Sequence, residues 1–282
     1  MRRRQSLQRR TLTDVIMRRR LLSTTTKRRD GTPRAYLPKI FPATFERSEE
    51  DSDAFGGEEN LEALRSLDTA RDGGVIERQL GHACEQAIGA GRRCRHGYAQ
   101  AVLYAPIYAV GGEGGRLRAE HATCWLTCPR LVERVDALEQ RENGIHDMAA
   151  RVDAEVSGEM RRGLLKAHAD AARVRNYLIG DDVARRIRSA AAAAAAASNA
   201  DADEDAKKVD FIVNHTGLIG VSMRGLEETK TWKQIKCLHA QMADALVRGR
   251  KNNPIGARVL DDLEASGFDT TGDDECRRRC EV

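Results

Sequence analysis

Apolar residues alternate with polar ones in one part of the chain and recur every three or four positions in others, so the pattern predicts both strands and helices. The alternating part consists of residues 98–110 and 117–127, which are rich in β-forming residues. Glycines at positions 111, 112, 114 and 115 separate the two segments and favour a flexible turn. We therefore expect a small antiparallel sheet at this point.

Helical spacing predicts several helices around this sheet. The first is a short helix within residues 75–89 that ends at Gly89, and the second runs from Pro129, behind a Cys128 N-cap, to Asn143 and Gly144. A long helix is expected from Asp147 to Ile179. Two more are expected, one over Thr231–Arg248 and one from Pro254, behind an Asn253 cap, to about Gly267. In the long helix, Met148, Val152, Val156, Met160 and Leu164 mark one face. The expected fold class is α+β, with a small antiparallel sheet packed against several helices.

This folded domain is expected over residues 76–267, and the composition changes on either side of it. Residues 1–35 form a basic leader, and residues 36–75 are typical of a disordered acidic linker because they contain prolines, glycines and a run of acids. Residues 190–208 are a low-complexity insertion that begins as an alanine tract. Residues 268–282 are a tail, which we expect to be mobile.

The leader holds eleven Arg and one Lys against Asp14 and Asp30, a net charge of +10. Its arginines are interspersed with leucines, serines and threonines, which is typical of a mitochondrial presequence. We therefore expect a mitochondrial matrix protein. The alternative is a cytoplasmic protein whose basic arm binds nucleic acid or an acidic partner.

The charge of the remaining chain argues against nucleic acid as the partner of the folded part. Because the whole protein carries +4, the residues after the leader carry −6, which does not suit a phosphate-binding surface. No apolar run approaches the length of about 18 residues that a membrane-spanning helix needs. A protein partner is compatible with this composition.

Five segments, taken in order, resemble an uncharacterised family of bacterial and protist proteins, domain of unknown function 501. They are RRCRHGYAQAV, CWLTCPRLVERVDALE, GLIGV, IKCLHAQMADAL and NPIGARVL, and the resemblance covers residues 76 to about 265. The chain departs from the family pattern at Ala99 and Gln100, where a proline is usual, and at Gln241, where a second histidine often occurs. The resemblance implies no reaction.

The family segments contain four candidate metal ligands: Cys94, Cys128, Cys237 and His239. Thiolates and imidazoles suit zinc, and thiolates also suit iron–sulfur centres. None of the segments has the C-x-x-C spacing that makes a zinc site specific. If Cys237 and His239 are both helical, they point about 200° apart, so at most one of them would bind the same ion. The alternative is that all four side chains are simply buried.

Cys128 is also the candidate catalytic thiol. At the start of a helix and beside Arg130, it would experience positive charge that lowers the thiol pKa and favours a nucleophile or a ligand. Cys276 and Cys280 stand four residues apart, so one helical turn would bring their sulfurs together near the candidate ligands. Because we expect this tail to be mobile, it ranks below Cys94 and Cys128.

Two functions of different classes remain open from the sequence. One is a thiol- or metal-dependent site built from Cys94, Cys128 and one member of the Cys237/His239 pair. The other is a non-catalytic mitochondrial interaction or assembly protein that docks through the amphipathic helices after Cys128. Nucleotide-binding, metalloprotease and serine-hydrolase motifs are absent from the chain.

Overall fold

The computed structural model describes residues 49–57, 59–60, 64, 67–84, 86–110, 116–120, 122–141, 144–196, 218–219 and 235–281. Within these residues the helices are α1 (Glu49–Ala54), α2 (Thr69–Leu80), α3 (Pro129–Gln140), α4 (Gly144–Ala154), α5 (Glu159–Ala196), α6 (Leu238–Arg248), α7 (Pro254–Ala265) and α8 (Asp274–Glu281). The strands are β1 (Ala87–Ala90), β2 (Ala101–Tyr104), β3 (Ile107–Val110), β4 (Arg116–Ala119) and β5 (Cys124–Leu126). The expected α+β class is confirmed.

The predicted sheet forms, but each of its two segments is divided into two strands. In the three-stranded antiparallel sheet β2 is central, with β1 on one side and β5 on the other. The second pair, β3 and β4, forms a separate two-stranded ladder. Pro106, which has no N–H for a ladder, lies at the break between β2 and β3. The glycine turn at 111–115 lies outside the described residues.

The first predicted helix was placed too late in the chain. Helix α2 begins behind Asp68, whose side chain accepts hydrogen bonds from the first-turn amides, and it ends at Gly81 rather than Gly89. Gly81 adopts a left-handed conformation with φ 73° and donates its N–H to the Glu77 carbonyl. The chain then extends, and Gly89 lies inside strand β1.

The predicted long helix is interrupted at residues 155–158. Gly158 has a φ of 66°, a conformation that ends one helix, and Ser157 accepts a hydrogen bond from the Glu159 amide at the start of α5. Val156, expected on the apolar face, is fully exposed as a result. Helix α5 continues through the alanine tract to Ala196, and the rest of the insertion lies outside the described residues.

Helix α6 lies at the centre of the molecule. It contacts β2, β5, α3 and α7, and most of its residues are buried. The predicted start at Thr231 is wrong, because the first residue of the helix is Leu238; Ile235 instead pairs with Ile219 in an isolated β-bridge. Helix α7 crosses so closely that a Cβ on Gly256 would lie 2.2 Å from the Gln241 carbonyl oxygen, so this position requires glycine.

A polar stripe runs along one side of this buried helix. The Arg248 guanidinium forms two hydrogen bonds with the Asp244 carboxylate, at 2.7 and 2.6 Å, and donates to the carbonyls of Ala54 and Ala167 at 3.0 and 3.1 Å. Asn253, the N-cap of α7, donates to Asp244 at 2.9 Å. Helices α1, α5 and α7 are therefore all joined to α6 through this ion pair.

Residues before and after the expected domain also take part in the core. Ala54, Phe55 and Leu64 are fully buried, although the sequence analysis assigned them to a linker. Helix α8, in the expected mobile tail, packs against α2 and α3. Local composition is acidic in both segments, so their few apolar positions were too weak a pattern to predict that these side chains are buried. In the described part of the chain, no helix is long and apolar enough to cross a membrane.

The first prediction concerns the buried ion pair. Asp244→Asn removes the carboxylate that is hydrogen-bonded to the Arg248 guanidinium in the core and leaves only Asp170, at 3.8 Å, as a charged partner, so the free energy of unfolding should fall by about 3–5 kcal/mol. Asp261→Asn, which removes a carboxylate that contacts Arg250 on the surface, is the control and should cost less than about 1 kcal/mol. Urea denaturation measures both values. Equal losses in the two variants would show that the buried pair does not hold the helices together.

The second prediction concerns His168, whose Nδ1 accepts the Ile219 N–H at 3.0 Å. Burial, together with the positive charges of Lys236 and Arg175, lowers the pKa of His168 to about 4. The neutral ring therefore stabilises the fold above the unfolded pKa of about 6.5, and this stability is lost as the pH falls towards 4. His168→Asn keeps an acceptor for the amide and does not titrate. Between pH 6.5 and 4 the free energy of unfolding of the wild type should fall by up to about 3 kcal/mol more than that of this variant. Melting curves of both proteins across this pH range measure the difference, and equal losses in the two proteins would contradict the lowered pKa of His168.

Candidate functional site

Cys94 lies in a tight turn between β1 and β2. The Gly97 amide donates to the Cys94 carbonyl at 2.9 Å, and Gly97 takes a φ of 84°, which favours glycine. The Cys94 amide donates in turn to the Tyr98 carbonyl at 2.9 Å. The turn is anchored to α2 because Arg93, next to Cys94, forms an ion pair with Asp72 at 2.7 Å. This double closure directs the Cys94 side chain into the protein.

Cys128 is the N-cap of α3, as the sequence analysis predicted. It is 2% exposed, and its backbone amide donates to the Gln100 carbonyl at 3.1 Å, which fixes it against the end of β2. The backbone amide of Arg130 is among the groups that lower the pKa of the Cys128 thiol, as expected, but its side chain makes other contacts. It pairs with Asp273 at 3.0 Å and lies over the Phe268 ring. The start of α3 is thereby joined to the segment that leads into α8.

Helix α8 brings the last two cysteines to the same place. Asp273 accepts a hydrogen bond from the Cys276 amide at 2.8 Å, which starts the helix. Cys276 and Cys280, four residues apart, are 1% and 0% exposed, whereas the other six residues of α8 are charged. Gly272, with a φ of 112°, approaches so closely that its Cβ would lie 3.0 Å from the Cys94 Cβ. The cysteines of α8 therefore face Cys94 and Cys128.

We call Cys94, Cys128, Cys276 and Cys280 the cysteine quartet. Cys276 is at its centre: its sulfur lies 4.0 Å from the Cys128 sulfur, and its thiol also interacts electrostatically with the thiols of Cys94 and Cys280. The quartet thus joins three segments that are distant in the sequence: the turn before β2, the start of α3, and α8. Beside it is a shallow surface depression with no room for a water molecule, lined in part by Phe268 and Arg130.

The contacts around the three outer sulfurs of the quartet lower the pKa of each thiol. The contact with Cys276 lowers the pKa of Cys94 to about 6, against burial, and the amides of His96 and Tyr98 add to this effect. The same contact lowers the pKa of Cys128, helped by the amides of Leu131 and Arg130, and lowers the pKa of Cys280 to about 7, helped by the Gln79 side chain at 3.3 Å. The pKa of Cys276 is raised, chiefly by its bond to Cys128, so Cys276 keeps its proton.

Cys237 and His239 do not join this quartet. They lie near the other end of α3, where Glu139 occupies the last helical turn. Because α6 begins only at Leu238, Cys237 is its N-cap and lies outside the helix. The two side chains are therefore not held about 200° apart, as they would be if both residues were helical. One ligand atom from each of Glu139, Cys237 and His239 lies within 4.8 Å of the other two.

We call Glu139, Cys237 and His239 the Glu–Cys–His cluster. Polar contacts at the end of α3 and the start of α6 position its side chains. One Glu139 oxygen accepts the Leu238 amide and thereby caps α6. The other oxygen lies 3.4 Å from His239 Nδ1, while His239 Nε2 lies 3.3 Å from Asp136 Oδ1. Burial opposes protonation of His239, but contacts with Cys237 and Glu139 outweigh it and raise the pKa of His239 to about 10.

The other two cysteines belong to neither group. Burial beside Asp244 raises the pKa of Cys124, so this thiol stays protonated at neutral pH, and Cys84 contacts the Tyr104 hydroxyl at 3.1 Å. The apolar stripe after Cys128, which a docking surface would need, is also used internally. Leu131 and Val135 are buried in the main core. The described part of α3 therefore offers no apolar face to a partner.

Sequence reasoning identified part of each group and missed the rest. It found Cys94 and Cys128 but placed Cys276 and Cys280 second, although their four-residue spacing already predicts two sulfurs on one helix face. It missed Glu139 and Asp136, which look like surface acids of an amphipathic helix. Their three-residue spacing shows only that they share a face, and nothing local indicates that His239 comes to meet them.

Comparison with known proteins adds a family and no activity. A family model described as "Protein of unknown function (DUF501)" matches residues 90–261. No curated protein and no solved structure matches the chain significantly. The matched residues include Cys94, Cys128 and the Glu–Cys–His cluster, whereas Cys276 and Cys280 lie beyond them.

Proposed function

The chain belongs to the DUF501 family of proteins of unknown function, and we propose that it is a zinc protein in which the cysteine quartet binds one Zn²⁺ ion. The observation that carries this proposal is the meeting of four buried sulfurs from three distant segments around Cys276. Four thiolates are a common ligand set of structural zinc, and binding of the ion would release the proton of Cys276. Burial without a partner would not require N–H donors to approach the sulfurs of Cys94, Cys128 and Cys280.

One sulfur pair already has the spacing that a single ion requires. Four sulfurs bound tetrahedrally at about 2.3 Å lie about 3.8 Å apart, and the Cys128 and Cys276 sulfurs are 4.0 Å apart. The quartet as a whole is wider, since no three of its sulfurs lie within 4.8 Å of one another, so binding would have to draw the outer side chains inward around Cys276. An iron–sulfur cluster would need the Cys128 and Cys276 sulfurs to lie farther apart than 4.0 Å, because iron and sulfide atoms would have to fit between them.

The quartet is buried, which favours a structural role over catalysis. A catalytic zinc keeps one position open for water or substrate, whereas all four positions here would be taken by cysteines. Cys128, the candidate nucleophile, is 2% exposed, so a substrate has no approach to its sulfur in this conformation. We therefore assign Cys128 the role of a ligand.

The ion would attach α8 to the rest of the fold. An isolated helix of eight residues is too short to be stable, and Cys276 and Cys280 are its only buried side chains. Its other contacts include surface ion pairs such as Arg279 with Glu133, which contribute little, and the hydrogen bonds that Arg78 and Gln79 of α2 donate to Cys280. A bound ion supplies the missing stabilisation and closes the contact between α8, α3 and the Cys94 turn.

The third prediction tests this centre by metal analysis. The full chain, purified under reducing conditions, should contain zinc at the quartet, and Cys276→Ser should lose one equivalent. Because zinc present at about 100–1,000 times its dissociation constant stabilises by about 3–4 kcal/mol, the melting temperature of the variant should be lower by about 6–16 °C. Cys84→Ser, a half-buried thiol outside both groups, is the matched control and should match the wild type in both measurements.

Elemental analysis and thermal melts with and without a chelator give the readout. The proposal fails if zinc content and melting temperature are the same in Cys276→Ser, in Cys280→Ser and in the wild type. A disulfide between quartet members in protein that was never exposed to oxidant would also overturn it. That result would assign the four thiols to redox chemistry instead.

We also propose that residues 1–35 direct this zinc protein to the mitochondrial matrix. The proposal is supported by the composition of the leader, in which twelve basic residues accompany two acids. As the fourth prediction, a fluorescent protein fused behind residues 1–35 should co-localise with a matrix marker. Replacing the arginines at positions 2–4, 9 and 10 by glutamine should abolish import. A cytosolic or nuclear signal from the unaltered fusion would defeat the assignment.

A further inference from the structure

We propose that the Glu–Cys–His cluster is a second metal site, in which Glu139, Cys237 and His239 bind a zinc-type divalent cation and leave one position open to solvent. The inference does not depend on the quartet, because the two groups share no residue. They lie at opposite ends of α3, about 16 Å apart along an α-helix of this length. Their ligand sets also differ, and this difference implies a different role.

The first support is the ligand geometry. In tetrahedral zinc sites, nitrogen and oxygen ligands bound at about 2.0–2.2 Å lie about 3.4 Å apart. His239 Nδ1 and Glu139 Oε2 are separated by 3.4 Å, and the Cys237 sulfur lies within 4.8 Å of a ligand atom of each residue. Carboxylate, imidazole and thiolate are all established zinc ligands.

The second support is the set of groups that orient these ligands. A histidine that binds metal through one ring nitrogen usually donates its other N–H to a carboxylate or a backbone carbonyl. His239 Nε2 has both within reach, Asp136 Oδ1 at 3.3 Å and the Val132 carbonyl at 3.3 Å. Glu139 is oriented in the same way, since one of its oxygens is engaged by the Leu238 amide and the other is left for the ion.

Exposure determines what the site could do. Cys237 is exposed, and the side chains of His239 and Glu139 are 23% and 21% exposed, so a fourth ligand can approach from solvent. Three protein ligands and an open position are the arrangement of catalytic zinc, which lowers the pKa of a bound water molecule and generates a nucleophile near neutral pH. The cluster is therefore the place in the described structure where metal-bound water could form.

The cluster offers three protein ligands and is partly exposed, whereas the quartet offers four buried ones. The site is accordingly expected to bind more weakly than the closed quartet and to fill last. This ordering allows the two sites to be measured separately in one titration.

The fifth prediction follows from this ordering. The full chain is titrated with Zn²⁺ at pH 8 against a chromophoric chelator, and the wild type should bind a second equivalent after the first. Cys237→Ser should weaken the second step at least about 100-fold, and Asp136→Asn, which alters only the group that orients His239, about 10–100-fold. Glu139→Gln should also weaken it while keeping an oxygen for the Leu238 amide. Cys84→Ser is again the control.

The variants separate this inference from the quartet. Cys276→Ser should remove the tighter step and leave the weaker one, and Cys237→Ser should do the reverse. If the wild type binds no second equivalent, or if Cys237→Ser and Glu139→Gln both leave the second step unchanged, the open site is excluded whatever the quartet binds. Co²⁺ substitution gives an independent readout, because sulfur-to-metal absorption in the second step should be lost in Cys237→Ser alone.

Discussion

The buried ion pair between Asp244 and Arg248 is the constraint on which the packing of the neighbouring helices depends. A guanidinium in the core is tolerated only when each of its N–H groups has an acceptor. Arg248 obtains these acceptors from Asp244 and from the carbonyls of Ala54 and Ala167, so α1 and α5 have to end or pass at defined positions around α6. Apolar packing alone would permit these helices to slide, and the charged pair fixes their register.

Helix α3 connects the core, where it packs against α6, to the two candidate sites at its ends. Its apolar side is fixed against α6 by Leu131 and Val135, so neither of its ends is free to move separately. Cys128 at its start faces α8, and Glu139 in its last turn faces the start of α6. One short rigid element thus presents a closed thiol centre at one end and an exposed mixed centre at the other. The contrast in solvent access follows from where each end lies, since α8 covers the first and nothing in the described chain covers the second.

Much of the fold was predictable because it depends on local signals, and most of the site was not because it depends on distant contacts. The caps of α3 and α7 and the two β-rich segments were read correctly from Cys128, Asn253 and the residue pattern. Gly81 was overlooked as the end of α2 because apolar residues continue at helical spacing beyond it. The start of α6 was misplaced because polar spacing before Cys237 also fits a helix, and that single error made Cys237 and His239 incompatible as ligands. Convergence of Cys94 and Cys128 with α8 is a tertiary property that no spacing encodes.

Cys128 and Cys276 are 148 positions apart, and the chain between them contains α3 to α7. An ion that joins them would turn this stretch into a closed ring, which has far fewer unfolded conformations than an open chain. By analogy with cross-links of this length, the effect is worth about 5 kcal/mol and acts on the unfolded state. Loop-closure entropy disfavours so distant a contact until the local contacts of α6 and its neighbours have formed. The quartet would therefore capture its ion after the core has assembled, and the bound ion would mark chains that have reached that stage.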